Sequence, residues 1–180
     1  MEIVKTFFDN QVKVIKPVVH ADERGFFQES FNLRNFEKLG ICYNFMQDNH
    51  SYSKHKGTIR GLHFQISPTS QAKLVRVVKG SALDVIVDIR QGSETFGKYQ
   101  TIEISDSNFL QVMIPTGFAH GFCTLEDETH FCYKVDQYYS SEHNAGIAWN
   151  CPEINIEWPT QNPILSQQDL NWKKLSESAL

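Results

Sequence analysis

Two histidines, a lysine and a tyrosine in this sequence have the side chains that proton transfer beside a carbonyl group requires. That chemistry needs a base to remove the proton, a cation or hydrogen-bond donor to stabilise the enolate oxygen and, for inversion, an acid on the opposite face. We predict that His63 is the base, that Lys73 or His120 meets the oxyanion, and that Tyr133 supplies the acid. Taken singly, a buried histidine is more often only hydrogen-bonded, and Tyr133 is equally consistent with a core aromatic.

A carboxylate is also needed to hold the imidazole of the base in one tautomer and to stabilise its protonated form. Asp169 is the candidate. The run from Ser166 to Asp169 also has the form of a helix capping box, which accounts for an acidic residue there without any catalysis. The sequence leaves both interpretations open.

The elements that must position these side chains are strands. From Leu74 onward apolar residues recur at every second position, and Leu83, Val85, Val87 and Ile89 share one face, as in strands with one buried face. Further strands are predicted near 102–104, 110–114 and 131–135, with turn residues at 79–80, 91–93, 106–108 and 115–117. This spacing predicts an all-β fold, an antiparallel jelly roll of the cupin kind, with its core at about 45–140.

Two short peripheral helices are predicted, one near each end of the chain. The first runs from Leu33 to Leu39, with Asn32 as its N-cap and Gly40 in the C-cap position. The second begins at Ser166, in a C-terminal extension with a helix at about 165–175. We expect residues 1–180 to form a single domain.

One motif raises the question of a metal. The stretch from Pro115 to His120 matches P-x-G-x-x-H, half of a metal-binding pattern of cupin barrels. The other half would be H-x-H with a downstream glutamate, but the corresponding stretch here is His63, Phe64 and Gln65. Because too few ligands remain for a transition metal, we expect neither metal nor cofactor.

Composition narrows the class of protein. The chain has 180 residues, 41% hydrophobic and 21% charged, which suits one domain with a sizeable core. A net charge of -4 argues against a nucleic-acid partner. We expect a cytoplasmic protein with no membrane association, because no apolar run approaches a membrane span and the start lacks a signal-peptide pattern. The four scattered cysteines are expected to be reduced.

Seven segments, in order, resemble the dTDP-4-dehydrorhamnose 3,5-epimerase family, over a stretch from about Pro17 to Asp169. They are 22–29, 47–51, 59–65, 71–80, 115–122, the tyrosines Tyr133 and Tyr138-Tyr139, and 165–169. The chain departs from the family pattern at His20, where an aromatic is usual, and at Gln168, where a lysine is usual. Neither departure touches the residues proposed for proton transfer.

The resemblance implies a jelly-roll homodimer that inverts C3′ and then C5′ of a dTDP-linked 4-keto-6-deoxy sugar, without metal or cofactor, in dTDP-L-rhamnose biosynthesis. By the same resemblance, His63 is the base, Asp169 its partner and Tyr133 the acid, while Lys73 and His120 are oxyanion or sugar contacts. The other substrate contacts that it implies are Arg24, Glu29, Gln47, Asn49, Arg60 and Tyr139.

Three other functions compete with this one. A 3- or 5-epimerase that inverts one carbon, or a ketoisomerase, is the nearest, because all use the same enolate chemistry. A metal-dependent cupin is suggested by the pattern ending at His120. A non-catalytic sugar-nucleotide binding module on the same barrel is the third, although binding alone has no need for a base opposed by a tyrosine.

Overall fold

The computed structural model describes residues 1–178 and residue 180. Within them the chain forms thirteen strands and two short helices, followed by a 3-10 turn at Leu175–Glu177. The strands are β1 (Glu2–Phe7), β2 (Val12–Lys16), β3 (Val19–Asp22), β4 (Gly25–Gln28), β5 (Gln47–Ser53), β6 (Ile59–Gln65), β7 (Lys73–Lys79), β8 (Ser81–Asp88), β9 (Tyr99–Ser105), β10 (Gln111–Ile114), β11 (Phe118–Thr124), β12 (Thr129–Val135) and β13 (Asn144–Gly146). The helices are α1 (Leu33–Lys38) and α2 (Gln167–Leu170).

Two antiparallel sheets build the molecule. One has the strand order β1-β2-β10-β7-β12-β5 and the other β13-β6-β11-β8-β9, while β3 and β4 form a separate hairpin. The sheets face each other across a shared core in which Phe122 of β11 stacks on Phe131 of β12, with 3.9 Å between the ring centroids. The predicted all-β jelly roll with short peripheral helices is confirmed.

Strand β8 is buried on both faces, whereas its sequence pattern predicted only one buried face. Leu83, Val85 and Val87 do share a face, but they pack in a second apolar cluster outside the sandwich. Ala82 and Ile86 face the core between the sheets. The outer face is buried because the chain after β13 folds back across it.

The sheets extend past the expected core of about 45–140 at both ends. Strands β1 and β2 lengthen the six-stranded sheet, with Val14 of β2 opposite Val112 of β10, and β13 adds an edge to the five-stranded sheet. These strands have only three to six residues, so their apolar alternation is too short to be seen in the sequence.

The helices are close to their predicted positions but shorter. Helix α1 has Asn32 as its N-cap, and it ends one residue early, so that Leu39 is the C-cap and Gly40, with φ of 71°, follows it. Helix α2 ends at Leu170 rather than near 175, because residues 172–174 are extended and the Lys173 carbonyl accepts from the Ala148 N–H at 2.7 Å. Among the described residues, no helix is long and apolar enough to cross a membrane.

Candidate active site

One end of the space between the sheets is polar. Alternation along the strands turns Gln47 and Asn49 of β5, Lys73 of β7 and Tyr133 of β12 toward His63 of β6. A cavity of about 150 Å³ opens there, and its lining residues are His63, Phe64, Gln65, Gln71, Lys73, Tyr133, Tyr139, Asn144 and Gln168. His63, Lys73 and Tyr133, which the sequence predicted for proton transfer, therefore meet at one cavity.

His63 and Asp169 form a dyad at this cavity. Nε2 of His63 lies 2.5 Å from Oδ1 of Asp169, whose side chain is only 3% exposed. Burial raises the pKa of Asp169, but the hydrogen bond and charge of His63, together with the Ser166 hydroxyl, outweigh burial and leave the pKa below its usual value. With Asp169 ionised, Nε2 carries the hydrogen and donates it, so the Nδ1 lone pair is left to accept a proton.

Asp169 also belongs to the helix cap, so both interpretations of the sequence hold together. Its backbone N–H donates to Oγ of Ser166 at 3.1 Å, and the same hydroxyl donates to Oδ2 of Asp169 at 2.8 Å. The cap fixes the carboxylate through Oδ2 and leaves Oδ1 for His63. A capping residue and a dyad partner are thus one side chain.

A bulge places Arg60 and His63 on the same face of β6. On β11 a single residue, Gly121, lies opposite two residues of β6, Gly61 and Leu62. Without that extra residue, positions three apart would point to opposite faces. Both glycines are required by the close approach: a Cβ on Gly61 would lie 2.5 Å from the Cα of Gly121, and one on Gly121 would lie 2.8 Å from the Arg60 carbonyl oxygen.

Lys73 is the buried cation of the cavity. Its ammonium group donates to the backbone carbonyl of His63 at 3.2 Å. Burial lowers the pKa of Lys73 to about 8, and the negative charge of Asp84 opposes that shift. At neutral pH the lysine is mostly charged, beside the base, where an enolate oxygen would form.

His120 has a carboxylate partner of its own, which the sequence analysis missed. Nε2 of His120 lies 2.6 Å from Oδ1 of Asp84, and both side chains are buried. His120 is the cross-strand partner of His63, so the two histidine–carboxylate pairs are neighbours. The sequence held a signal for Asp84: it is an acidic residue within the otherwise apolar stretch of β8, on the inward face with Ala82 and Ile86.

Tyr133 stands on the six-stranded sheet, across the cavity from His63. Its ring packs against the shared core, while its side chain also lines the cavity. Burial raises the pKa of Tyr133, and the positive charge of Arg60 opposes that shift. No hydrogen bond to its hydroxyl is formed within residues 1–178, so the hydroxyl is available to a ligand.

The segment bearing Tyr139 is tied over the cavity by two glutamines. The Tyr139 N–H donates to Oε1 of Gln47 at 3.1 Å. Gln65, a second residue that the sequence analysis missed, donates to the Tyr138 carbonyl at 3.2 Å and accepts from the Ser140 N–H at 2.7 Å. Gln47 also donates to Oδ1 of Asn49 at 2.8 Å.

Two predicted substrate contacts lie away from the cavity. The side chain of Arg24 is 90% exposed and pairs with Asp22 at 2.6 Å. Glu29 accepts hydrogen bonds from the amides of Asn32 and Asn35. Both residues belong to the region of the β3–β4 hairpin, and neither lines the cavity that contains His63.

The surroundings of the two histidines bear on the metal pattern of cupin barrels. In the part of the chain that the structure describes, no three or more His, Cys, Asp or Glu side chains are grouped so that they could hold a metal ion. Each imidazole is instead hydrogen-bonded to its own carboxylate. The arrangement places an imidazole, an ammonium group and a phenol around one cavity.

Comparison with known proteins agrees with this chemistry. The family model described as dTDP-4-dehydrorhamnose 3,5-epimerase matches residues 10–177. The Shigella flexneri protein of that name is 50% identical over 179 residues, which are 99% of this chain and 98% of the relative.

Two solved structures are similar over their whole length. One is dTDP-4-dehydrorhamnose 3,5-epimerase from Bacillus anthracis strain Ames, with TDP and PPi bound. It has a TM-score of 0.94 and 46% identity, and the match covers 96% of this chain and 98% of that one. The other is dTDP-6-deoxy-D-glucose-3,5-epimerase from Legionella pneumophila, in complex with dTDP-4-keto-L-rhamnose. It has a TM-score of 0.92 and 43% identity, and the match covers 98% of this chain and 93% of that one.

Fold, site and relatives together define a cupin-like sugar-nucleotide epimerase, which is an isomerase. The chain belongs to the dTDP-4-dehydrorhamnose 3,5-epimerase family.

Proposed function

We propose that this chain inverts C3′ and C5′ of dTDP-4-dehydro-6-deoxy-D-glucose to give dTDP-4-dehydro-L-rhamnose, a step of dTDP-L-rhamnose biosynthesis. The observation that carries the proposal is the opposition of His63 and Tyr133, which come from different sheets and line one cavity. Both sugar carbons flank the C4′ ketone, so the same enolate chemistry serves twice.

In the first half of each inversion, Nδ1 of His63 takes the proton from the carbon beside the ketone. The C–H electron pair forms the enolate, and the negative charge moves to the C4′ oxygen. Lys73 stabilises that oxygen as a buried cation, and His120, held by Asp84, is the second candidate donor.

In the second half, the Tyr133 hydroxyl donates its proton to the opposite face of the same carbon as the ketone re-forms. The cycle leaves an imidazolium and a tyrosinate, and exchange with solvent restores both groups. Asp169 holds the ring and faces the imidazolium charge throughout. These protein groups supply every step, so the proposed mechanism uses no metal and no cofactor.

We further propose a homodimer in which the β3–β4 hairpin of one copy binds at the cavity of the other. Phe27 on the hairpin is 68% exposed, and Arg24 projects beside it. The hairpin packs on Phe109, near the end of β10 that pairs with Arg76, whereas the cavity is at the end that pairs with Lys73. A second copy would join Arg24 and Glu29 to Gln47, Asn49 and Arg60 around the nucleotide, and arginines suit bidentate phosphate contacts.

Mixing two inactive variants tests the dimer. In a mixture of His63→Asn and Arg24→Ala chains, a mixed dimer has one site with both residues intact, so activity should partly return. No recovery, with exchange of chains verified by sedimentation of tagged protein, would contradict the contribution of one copy to the other. In the proposed dimer, Tyr139 and Gln47 are substrate contacts from the same copy as His63.

We place the enzyme in the cytoplasm. All four cysteines are within the described residues and are free thiols, as a reducing compartment maintains them. Fractionation of cells, with an activity assay of each fraction, checks this placement.

Product identification in deuterium oxide tests the reaction. The expected product is dTDP-4-dehydro-L-rhamnose with deuterium at both C3′ and C5′, read by proton NMR. Deuterium and inversion at one carbon alone would indicate an epimerase for that carbon, and a moved carbonyl would indicate a ketoisomerase. Substrate recovered without deuterium would overturn the proposal, and His63→Asn provides the matched control.

A further inference from the structure

Trp172 packs against the catalytic dyad without belonging to it. It follows Asp169 by three residues, and its ring centroid lies 6.2 Å from that of His63, with the two planes at 66°. This edge-to-face arrangement is favourable for aromatic rings. The indole therefore packs against the imidazole that Asp169 holds at Nε2.

A glycine provides the surface on which the indole lies. Gly146 of β13 is the cross-strand partner of His63. A Cβ at Gly146 would overlap the Trp172 ring, at 2.6 Å from its Cδ2 atom, and would lie 2.7 Å from the Leu62 carbonyl oxygen. The space over Gly146, beside His63, is thus filled by the Trp172 ring.

The backbone on both sides of Trp172 is fixed. Before it, helix α2 is capped by Ser166. After it, the Lys173 carbonyl accepts from the Ala148 N–H at 2.7 Å, and the Leu175 N–H donates to Sγ of Cys151 at 3.3 Å. The indole is held by these contacts rather than by a mobile tail.

We propose that Trp172 is a positioning residue that fixes the plane of the His63 ring, an inference that rests on the proposed function of the site. The bond from Nε2 to Asp169 fixes one atom of the imidazole but leaves the ring free to tilt about that point. Contact with the indole removes this freedom and keeps Nδ1 directed into the cavity. A base displaced by about 1 Å loses on the order of a hundredfold in rate.

Packing, not hydrogen bonding, carries this role. The indole N–H of Trp172 is buried and has no hydrogen-bond partner within residues 1–178 and 180. Phenylalanine at this position keeps a flat aromatic ring, although a smaller one, and removes the unpaired N–H. Trp172→Phe is therefore the matched control for Trp172→Ala.

Kinetics and NMR together test the proposal. Trp172→Ala should lower kcat by about ten- to a hundredfold with KM little changed, and Trp172→Phe should restore most of kcat. The imidazole proton bonded to Asp169, assigned by its loss in Asp169→Asn, should broaden in Trp172→Ala and persist in Trp172→Phe. Wild-type kcat with an intact resonance in Trp172→Ala, or a lower melting temperature alone, would overturn the proposal.

Two further readouts keep the outcome decisive. If Trp172→Ala does not fold, Trp172→Leu keeps apolar volume without a flat ring, and wild-type kcat in that variant would overturn the proposal. The NMR readout needs no substrate. If the resonance responds as expected while the wild-type enzyme leaves the sugar nucleotide unchanged, the proposed function fails and the positioning of His63 stands.

Discussion

Replacing Asp169 with asparagine tests the dyad, because the change removes one charge and keeps the shape of the side chain. Oδ1 lies 2.5 Å from Nε2 of His63, and Oδ2 accepts from the Ser166 hydroxyl at 2.8 Å. The carboxylate accepts hydrogen bonds on both sides, whereas an amide accepts on only one. The size of the loss therefore depends on which way the amide turns.

The structure favours the more damaging orientation. With the amide oxygen toward His63, a charge-assisted hydrogen bond becomes a neutral one, a difference of about 1 kcal/mol or roughly tenfold or less in kcat. With the amide nitrogen toward His63, Nε2 must accept, the hydrogen moves to Nδ1, and the base is lost, at about 10⁴-fold. Because Ser166 donates toward Oδ2, the oxygen is drawn to that side, and we expect a fall of about 10³- to 10⁴-fold.

The assay is kcat measured by proton NMR of product formed at saturating substrate. Ser166→Ala is the control, since it keeps the charge of Asp169, costs about 1 kcal/mol of helix capping and leaves the base intact. A loss of only tenfold in Asp169→Asn would refute the orientation argument. Wild-type kcat in that variant would refute the dyad itself.

The buried charges and the bulge give four further predictions. The kcat should fall as pH rises through about 8, where neutral Lys73 no longer stabilises the enolate; a pH–rate profile checks this. Burial lowers the pKa of Lys73, so above pH 8 the folded state binds fewer protons than the unfolded chain. Lys73→Met should therefore be more stable than wild type at pH 7. Denaturation at increasing pH should show that this difference in stability shrinks toward pH 10. Asp84→Asn should lower kcat about ten- to a hundredfold by weakening the hydrogen bond that holds His120; an unchanged kcat with a lower melting temperature would assign Asp84 to stability alone. Gly61→Ala should abolish folding, because φ is 133° and the added Cβ meets the backbone of the facing strand, whereas Gly92→Ala, with nothing within 4 Å, should cost about 1 kcal/mol in denaturation experiments.

Alternation along the strands accounts for most of the inward-facing site. On β12 it turns Tyr133 toward the cavity, and on β7 it turns Lys73 inward. The same alternation places Arg76 on the outer face of the sheet, in a groove of about 300 Å³. By residue type alone, Arg76 and Lys73 are equally plausible as the cation near His63. Composition around a residue does not identify its face; strand register does.

The position of Arg60 was beyond the reach of alternation. Counting by twos from His63 places Arg60 on the outer face of β6, and the bulge at Gly61 and Leu62 reverses that assignment. A bulge depends on the pairing of two strands that are about sixty residues apart in the chain. No local pattern in β6 indicates it.

Long-range partners were the other gap. Asp84 of β8 bonds to His120 of the adjacent strand β11, and Trp172 packs on His63 from the C-terminal segment. Asp169 is a candidate partner of His63 by residue type, but only the resemblance favours that role, since capping explains the residue locally. Local sequence predicted the strands in the middle of the chain and the two helices, and tertiary contacts decided which polar residues meet.

The most direct test of the account is the reaction of Tyr133→Phe in deuterium oxide. If His63 and Tyr133 act on opposite faces, the variant should still exchange hydrogen for deuterium beside the ketone but return it to the same face, giving labelled sugar of unchanged configuration. Tyr138→Phe is the control, because that neighbouring tyrosine is 61% exposed and does not line the cavity. Inversion by Tyr133→Phe at the wild-type rate would contradict the account.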